Sequence, residues 1–122
     1  MITSNIAFYP CASIEETEAF YINIIGLVKV FSSERARIFS AKKGYFGFME
    51  YPDKQVASGR LCLSLNCQSE EYVDMHYDRI ISLGAELLGK PKKHATEPVY
   101  SFFIKDPNGY LVEFQKIEGM DI

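Results

Sequence analysis

Apolar and polar positions alternate along this chain with two periods, and the same succession of periods occurs twice. Residues 6–11 form a short apolar run of strand length. Ser13-Ile14-Glu15-Glu16 then matches a capping box, Ser13 as N-cap and Glu16 three residues on. Ile14, Thr17, Phe20, Tyr21 and Ile24 follow at helical spacing, and Gly26 supplies the stop. Residues 28–31, 36–41 and 45–51 read as three strands, with Lys42-Lys43-Gly44 as the turn before the last. The pattern restarts at Leu61-Cys62-Leu63-Ser64-Leu65, a strict alternation that predicts a half-buried strand. Ser69 caps a second helix carrying Val73, Tyr77, Ile80 and Ile81, which closes at Gly84. Strands are predicted over 85–88, 99–104 and 110–117. Strand, helix and three strands, repeated about 55 residues apart, is a duplicated βαβββ module.

The second repeat ends on its sharpest signal. Asp106-Pro107-Asn108-Gly109 is a turn: Pro107 presets φ, Asn108 tolerates unusual angles, and Gly109 supplies positive φ. In the strand beyond it, Val112 and Phe114 need a core, which puts Leu111, Glu113 and Gln115 on the other face. Parity extended to the other strands sends Ile6, Phe8 and Pro10 to the open face of the first. It sends Phe46, Phe48 and Glu50 there from the fourth, counted in twos from Glu50. Arg60, Cys62 and Ser64 follow from the fifth strand, and Ser101 and Phe103 from the penultimate one. With one helix per sheet, the other faces can line a cupped, aromatic cavity of the kind that binds ligands.

This hairpin and the helix segment Phe20-Tyr21…Ile25-Gly26-Leu27 resemble the vicinal oxygen chelate superfamily of glyoxalase I, extradiol dioxygenases, fosfomycin resistance enzymes and bleomycin-binding proteins. The resemblance runs from Ile6 to Ile117. It implies an α+β fold of paired βαβββ modules in a cupped, barrel-like mixed sheet with helices outside. The expected organisation is one glyoxalase-like domain, 1–122, with modules at 5–53 and 59–118. In the family's metalloenzymes the ligands come from the first and last strands of each module. The matching positions here are Ile6, Glu50, Arg60 and Glu113. Ile6 has no donor atom, and Arg60 keeps its positive charge and repels a cation. The expectation is therefore a site with no metal cofactor. A divalent metal held by Glu50 and Glu113 is the alternative.

Arg60 between Glu50 and Glu113 can instead clamp both carboxylates in bidentate fashion. Either carboxylate is also a candidate general base. Two functions stay open: a binding protein for a small, aromatic or cationic molecule, and a glyoxalase-like lyase, isomerase or dioxygenase-type enzyme on a small oxygenated substrate. Catalytic candidates are Glu113 and Glu50. Ligand-binding candidates are Arg60, Phe8, Phe46, Phe48, Ser101, Phe103, Gln115 and, from a rim loop, His94. His76 reads as an edge-of-core helix residue, and Lys42, Lys43 and residues 90–93 as solvated turns.

Bulk properties remove other classes. A net charge of −3 with interspersed signs gives no nucleic-acid footprint. No apolar run reaches spanning length and no leader pattern opens the chain, so no membrane partner is expected. Three cysteines without a CxxC pair suit a reducing, cytoplasmic setting. The open sheet edges call for a homodimer.

Overall fold

Ser13 starts the first helix as its sequence predicts: the Oγ accepts the N–H of Glu16, and Glu15 and Glu16 lie in the first turn, where the helix dipole favours acids. The computed structural model describes all 122 residues, which divide into two compact units, Met1–Gly59 and Arg60–Ile122.

The first unit runs β1 (Ala7–Pro10), α1 (Ile14–Ala19) continued by a π-helical segment (Phe20–Ile25), β2 (Val28–Ser32), β3 (Ala36–Ser40) and β4 (Tyr45–Met49). Gly26 ends the helical stretch at φ 91°, and the N–H groups of Gly26 and Leu27 both donate to the Tyr21 carbonyl. The sheet order is β1-β4-β3-β2, with β1 parallel to β4 and the other pairs antiparallel. Between sheet and helix, Tyr21, Phe39 and Phe48 are fully buried, with ring centroids 4.7–6.0 Å apart. Arg37, 7% exposed, lies on this same side of β3 and ties sheet to helix. Its Nε donates to Glu18 Oε1 at 2.7 Å, and Lys29 Nζ reaches the same oxygen at 2.8 Å. The Lys29 and then the Arg37 hydrogen bonds hold the Glu18 carboxyl below its ordinary value.

The second unit runs β5 (Cys62–Asn66), α2 (Glu70–Ser82), β6 (Lys92–Lys93), β7 (Val99–Lys105) and β8 (Leu111–Ile117), in the order β5-β8-β7-β6. Ser69 caps α2 through the N–H of Tyr72. Phe102 and Phe114 stack at 5.1 Å, Tyr77 meets Phe102 edge-on, and His76 stacks on Phe114 at 5.0 Å. His76 is thus an edge-of-core residue. Burial, and then the Arg79 charge, push its pKa down. At the 106–109 turn, the Asp106 carboxylate accepts the N–H groups of Asn108 and Tyr110 at 2.8 and 2.9 Å, and Gly109 has φ 85°. That bond pattern fixes the β7–β8 register.

The class is the expected one: two mixed four-stranded sheets, each with a helix, in an α+β arrangement. Neither sheet closes on itself. One expected strand is also displaced. Residues 85–88 make a single bridge, Leu87 to Ile104, and the short strand falls at Lys92–Lys93 instead, in a stretch read as a solvated turn. Gly89 at φ 116° and Pro91 break the first option, while Lys93 is held by Glu70 of α2 at 2.7 Å.

Candidate functional site

In the second sheet, burial of Leu63, Leu65, Val112 and Phe114 against α2 turns the intervening residues of β5 and β8 to the open face. In the parallel register Ser64 stands opposite Glu113 and Asn66 opposite Gln115. On the other flank of β8, Phe103 pairs with Glu113 and Ser101 with Gln115. Cross-strand partners share a face, so these six side chains form one patch.

Its polar atoms bond in a defined way. Ser64 Oγ donates to Glu113 Oε1 at 2.7 Å, and Cys62 Sγ lies 3.9 Å from that oxygen and 3.6 Å from Ser64 Oγ. Gln115 Nε2 donates to Asn66 Oδ1 at 3.0 Å. These bonds direct Glu113 and leave its Oε2, with the outer Gln115 carbonyl, able to accept from a bound molecule. Burial raises the Cys62 thiol pKa; the Ser64 contact opposes the rise, and the Glu113 charge adds to it. Cys62 is therefore a protonated thiol and a poor nucleophile.

The first sheet differs. Ile6 and Phe8 face outward as expected, 39% and 51% exposed. The expected parity of β4 is reversed. Phe48 is fully buried against Tyr21, and Phe46, opposite Ala7 and Phe39, shares that inner side. The register with β1 causes this, because it stacks Tyr9 beside Phe48 under the helix. Tyr45, Gly47 and Met49 take the outer positions instead. Glu50 falls on the helix side too: its Oε1 accepts the N–H of Ile14 at 2.8 Å and so satisfies a free donor at the start of α1. Its role is to cap, and it is not on the open face.

Two further candidates leave the patch. Arg60 is exposed, lies two residues ahead of β5, and forms no ion pair with Glu113, so the clamp between them is not made. His94 Nδ1 accepts the N–H groups of Thr96 and Glu97, both at 3.1 Å, and closes the β6–β7 loop. Ser101, Phe103, Gln115 and Glu113 are brought together. The hydrogen-bonding roles of Ser64 and Asn66 went unread, although every second residue of Cys62-Leu63-Ser64-Leu65-Asn66 is small and polar.

The donor set also bears on the metal that this kind of hairpin implies. No group of three or more His, Cys, Asp or Glu could hold an ion. The outer face of the first sheet offers Ile6, Phe8, Gly47 and Met49 with the hydroxyls of Tyr45 and its partner Ser40, and no carboxylate or imidazole. The second offers one carboxylate and one thiol. Such a set does not fit a resident divalent cation, which needs several oxygen, nitrogen or thiolate ligands.

A model of the Glyoxalase/Bleomycin resistance protein/Dioxygenase superfamily matches residues 4–114. The chain belongs to that superfamily. Solved structures agree on the fold of this superfamily member. It is similar to a lactoylglutathione lyase from Agrobacterium tumefaciens, with TM-score 0.78 and 18% identity over 98% of this chain and 97% of that one. A glyoxalase/bleomycin resistance protein/dioxygenase from Nocardioides gives 0.78 and 14% over 99% and 87%. One from Alicyclobacillus acidocaldarius gives 0.77 and 16% over 95% and 92%. At these identities the likeness concerns fold alone. Among curated proteins no sequence match emerges.

Proposed function

We propose that this superfamily member binds a small organic molecule on the open face of its second sheet, without a resident metal. One observation carries the reading: Glu113 stands mid-strand and half-buried on that face, with one oxygen held by Ser64 and the other available. Phe103 and Leu111 beside it supply apolar contact, and Gln115 and Asn66 a second polar point. A ligand suited to this patch carries hydrogen-bond donors on a largely apolar body. Native mass spectrometry of the purified protein, incubated with a small-molecule extract of the cells that produced it, tests this. A bound mass is expected that Glu113→Gln loses while its melting temperature stays unchanged. No adduct, or one indifferent to Glu113→Gln, contradicts the reading.

The enzyme alternative makes Glu113 the base of a glyoxalase-like lyase or isomerase. It predicts turnover of a glutathione hemithioacetal, which the binding reading does not. Isothermal titration with Zn²⁺ separates the metal version: a stoichiometric site lost in Glu113→Gln would make the metalloenzyme the better reading. We further propose a homodimer in a reducing cytoplasm, in keeping with three free cysteines and four open sheet edges. No helix is long and apolar enough to cross a membrane. Light scattering should give twice the chain mass of 13.9 kDa, and a constant 13.9 kDa would refute the dimer.

A further inference from the structure

Lys92 belongs to the stretch that reads as a solvated turn in sequence and forms the edge strand β6 in the structure. There it pairs with Ser101, and Lys93 pairs with Tyr100. Adjacent residues of a strand face opposite ways, so the two lysines part. Lys93 turns to the helix side, where its Nζ meets Glu70 of α2 at 2.7 Å. Lys92 therefore stands on the open face, at the end of the cross-strand row Lys92, Ser101, Gln115, Asn66. No carboxylate lies within ion-pair distance of its ammonium. Glu113 is one row away and two strands across, about 12 Å from Lys92 between Cα atoms at ordinary strand spacing. Its Oε1 accepts from Ser64, and no cation pairs with it either. Between the two charges lie Ser101, 5% exposed, and Phe103, both of β7. One face thus presents a cation and an anion, held apart over a small and apolar floor and each without a partner of opposite charge.

We infer that the second sheet takes an amphoteric small molecule. An anionic group such as a carboxylate sits on Lys92, an ammonium or comparable donor on Glu113, and an apolar spacer lies over Ser101 and Phe103. Both ends are then charge-assisted hydrogen bonds, stronger than neutral ones. A simple amine leaves Lys92 unused, and a simple acid leaves Glu113 unused, so the pair discriminates against both. The inference rests on the small-molecule reading above and adds the ligand's charge pattern.

Amide NMR titrations at neutral pH with 6-aminohexanoate, hexanoate and hexylamine test it. The amphoteric probe should shift the Lys92, Ser101 and Glu113 amides saturably. It should bind about fivefold more tightly than either single-charge analogue, the worth of one exposed charge pair. Lys92→Met should reduce 6-aminohexanoate to the affinity of hexylamine, and Lys92→Arg should keep it. Glu113→Gln should reduce it to the affinity of hexanoate. Lys93→Met makes the same charge change on the opposite face and should alter none of the three. Equal binding of 6-aminohexanoate and hexylamine, indifference to Lys92→Met, or an equal loss in Lys93→Met would overturn the inference and leave Lys92 a charged guard of the sheet edge. Shifts mapping elsewhere, or no saturable shift with any probe, would overturn it too. Hexylamine binding that Glu113→Gln weakens, with nothing added by the carboxylate, would keep Glu113 as a ligand contact while the amphoteric class fails. The extract-derived adduct is judged separately, so small-molecule binding can stand without this inference.

Discussion

The two halves share strand order, helix placement and an aromatic inner face, yet their open faces have opposite chemistry. The first presents Ile6, Phe8, Gly47 and Met49, and the second presents Cys62, Ser64, Glu113 and Gln115. Each half also has a carboxylate in or just past its last strand, and the two are not equivalent. Glu113 alternates with buried Val112 and Phe114 and so faces outward, whereas Glu50, just past β4, turns inward to the first amide of α1. A repeated fold therefore does not repeat its site. The face of a residue follows from which neighbours the helix buries, and one position of slip reverses it.

The most forceful way to break this comparison is through the inner aromatic rings. Phe48→Ala empties a fully buried position and should cost about 3–5 kcal/mol in urea unfolding, while Phe8→Ala should cost under about 1 kcal/mol. Equal losses would restore the parity that places Phe48 outward. Next come the charged ties between sheet and helix. Arg37→Ala removes a buried donor from Glu18 and should cost about 1–3 kcal/mol, whereas Lys93→Ala, whose partner Glu70 lies at the surface, should leave the unfolding midpoint essentially where it is.

Element types and the second half's faces were legible because each signal there is redundant. The Asp106–Gly109 turn, the strict 61–65 alternation and the Val112/Phe114 pair all point to one register. In β4 the signals conflict. Phe46, Phe48 and Glu50 share a parity, and counting from the carboxylate gave the wrong face, since two aromatic residues outweigh one acid in choosing the buried side. Arg60 was misread because the residues before β5 give no sign of where pairing begins. The bonds from Ser64 to Glu113 and from Glu50 to Ile14 depend on a parallel register and a helix start far away in sequence. Local pattern contains neither.

Acid sharpens the account of the first half. Glu18 holds its charge below its ordinary pKa of 4.5, so the unfolded chain takes up the proton first as pH falls. Stability from this group is complete above about pH 5 and declines as pH drops through the native value. The urea midpoint should fall as pH drops below about 5, and Glu18→Gln should flatten that decline. The smallest effect lies in the second half. Tyr100 OH donates to Asp74 at 2.6 Å, and this bond, with burial and the Asp74 charge, pushes its pKa up to about 12. Ultraviolet titration should find one tyrosine ionising near there, returning towards about 10 in Asp74→Asn. An unmoved transition would place Tyr100 elsewhere.

The inequality of the two carboxylates is tested most directly at one amide. Hydrogen exchange at Ile14, followed by NMR, reads the bond from Glu50 without any ligand. Glu50→Ala should speed that exchange about tenfold or more, and Glu113→Ala should leave it within about twofold. Ile14 exchange unchanged in Glu50→Ala would put Glu50 back on the open face and contradict the account.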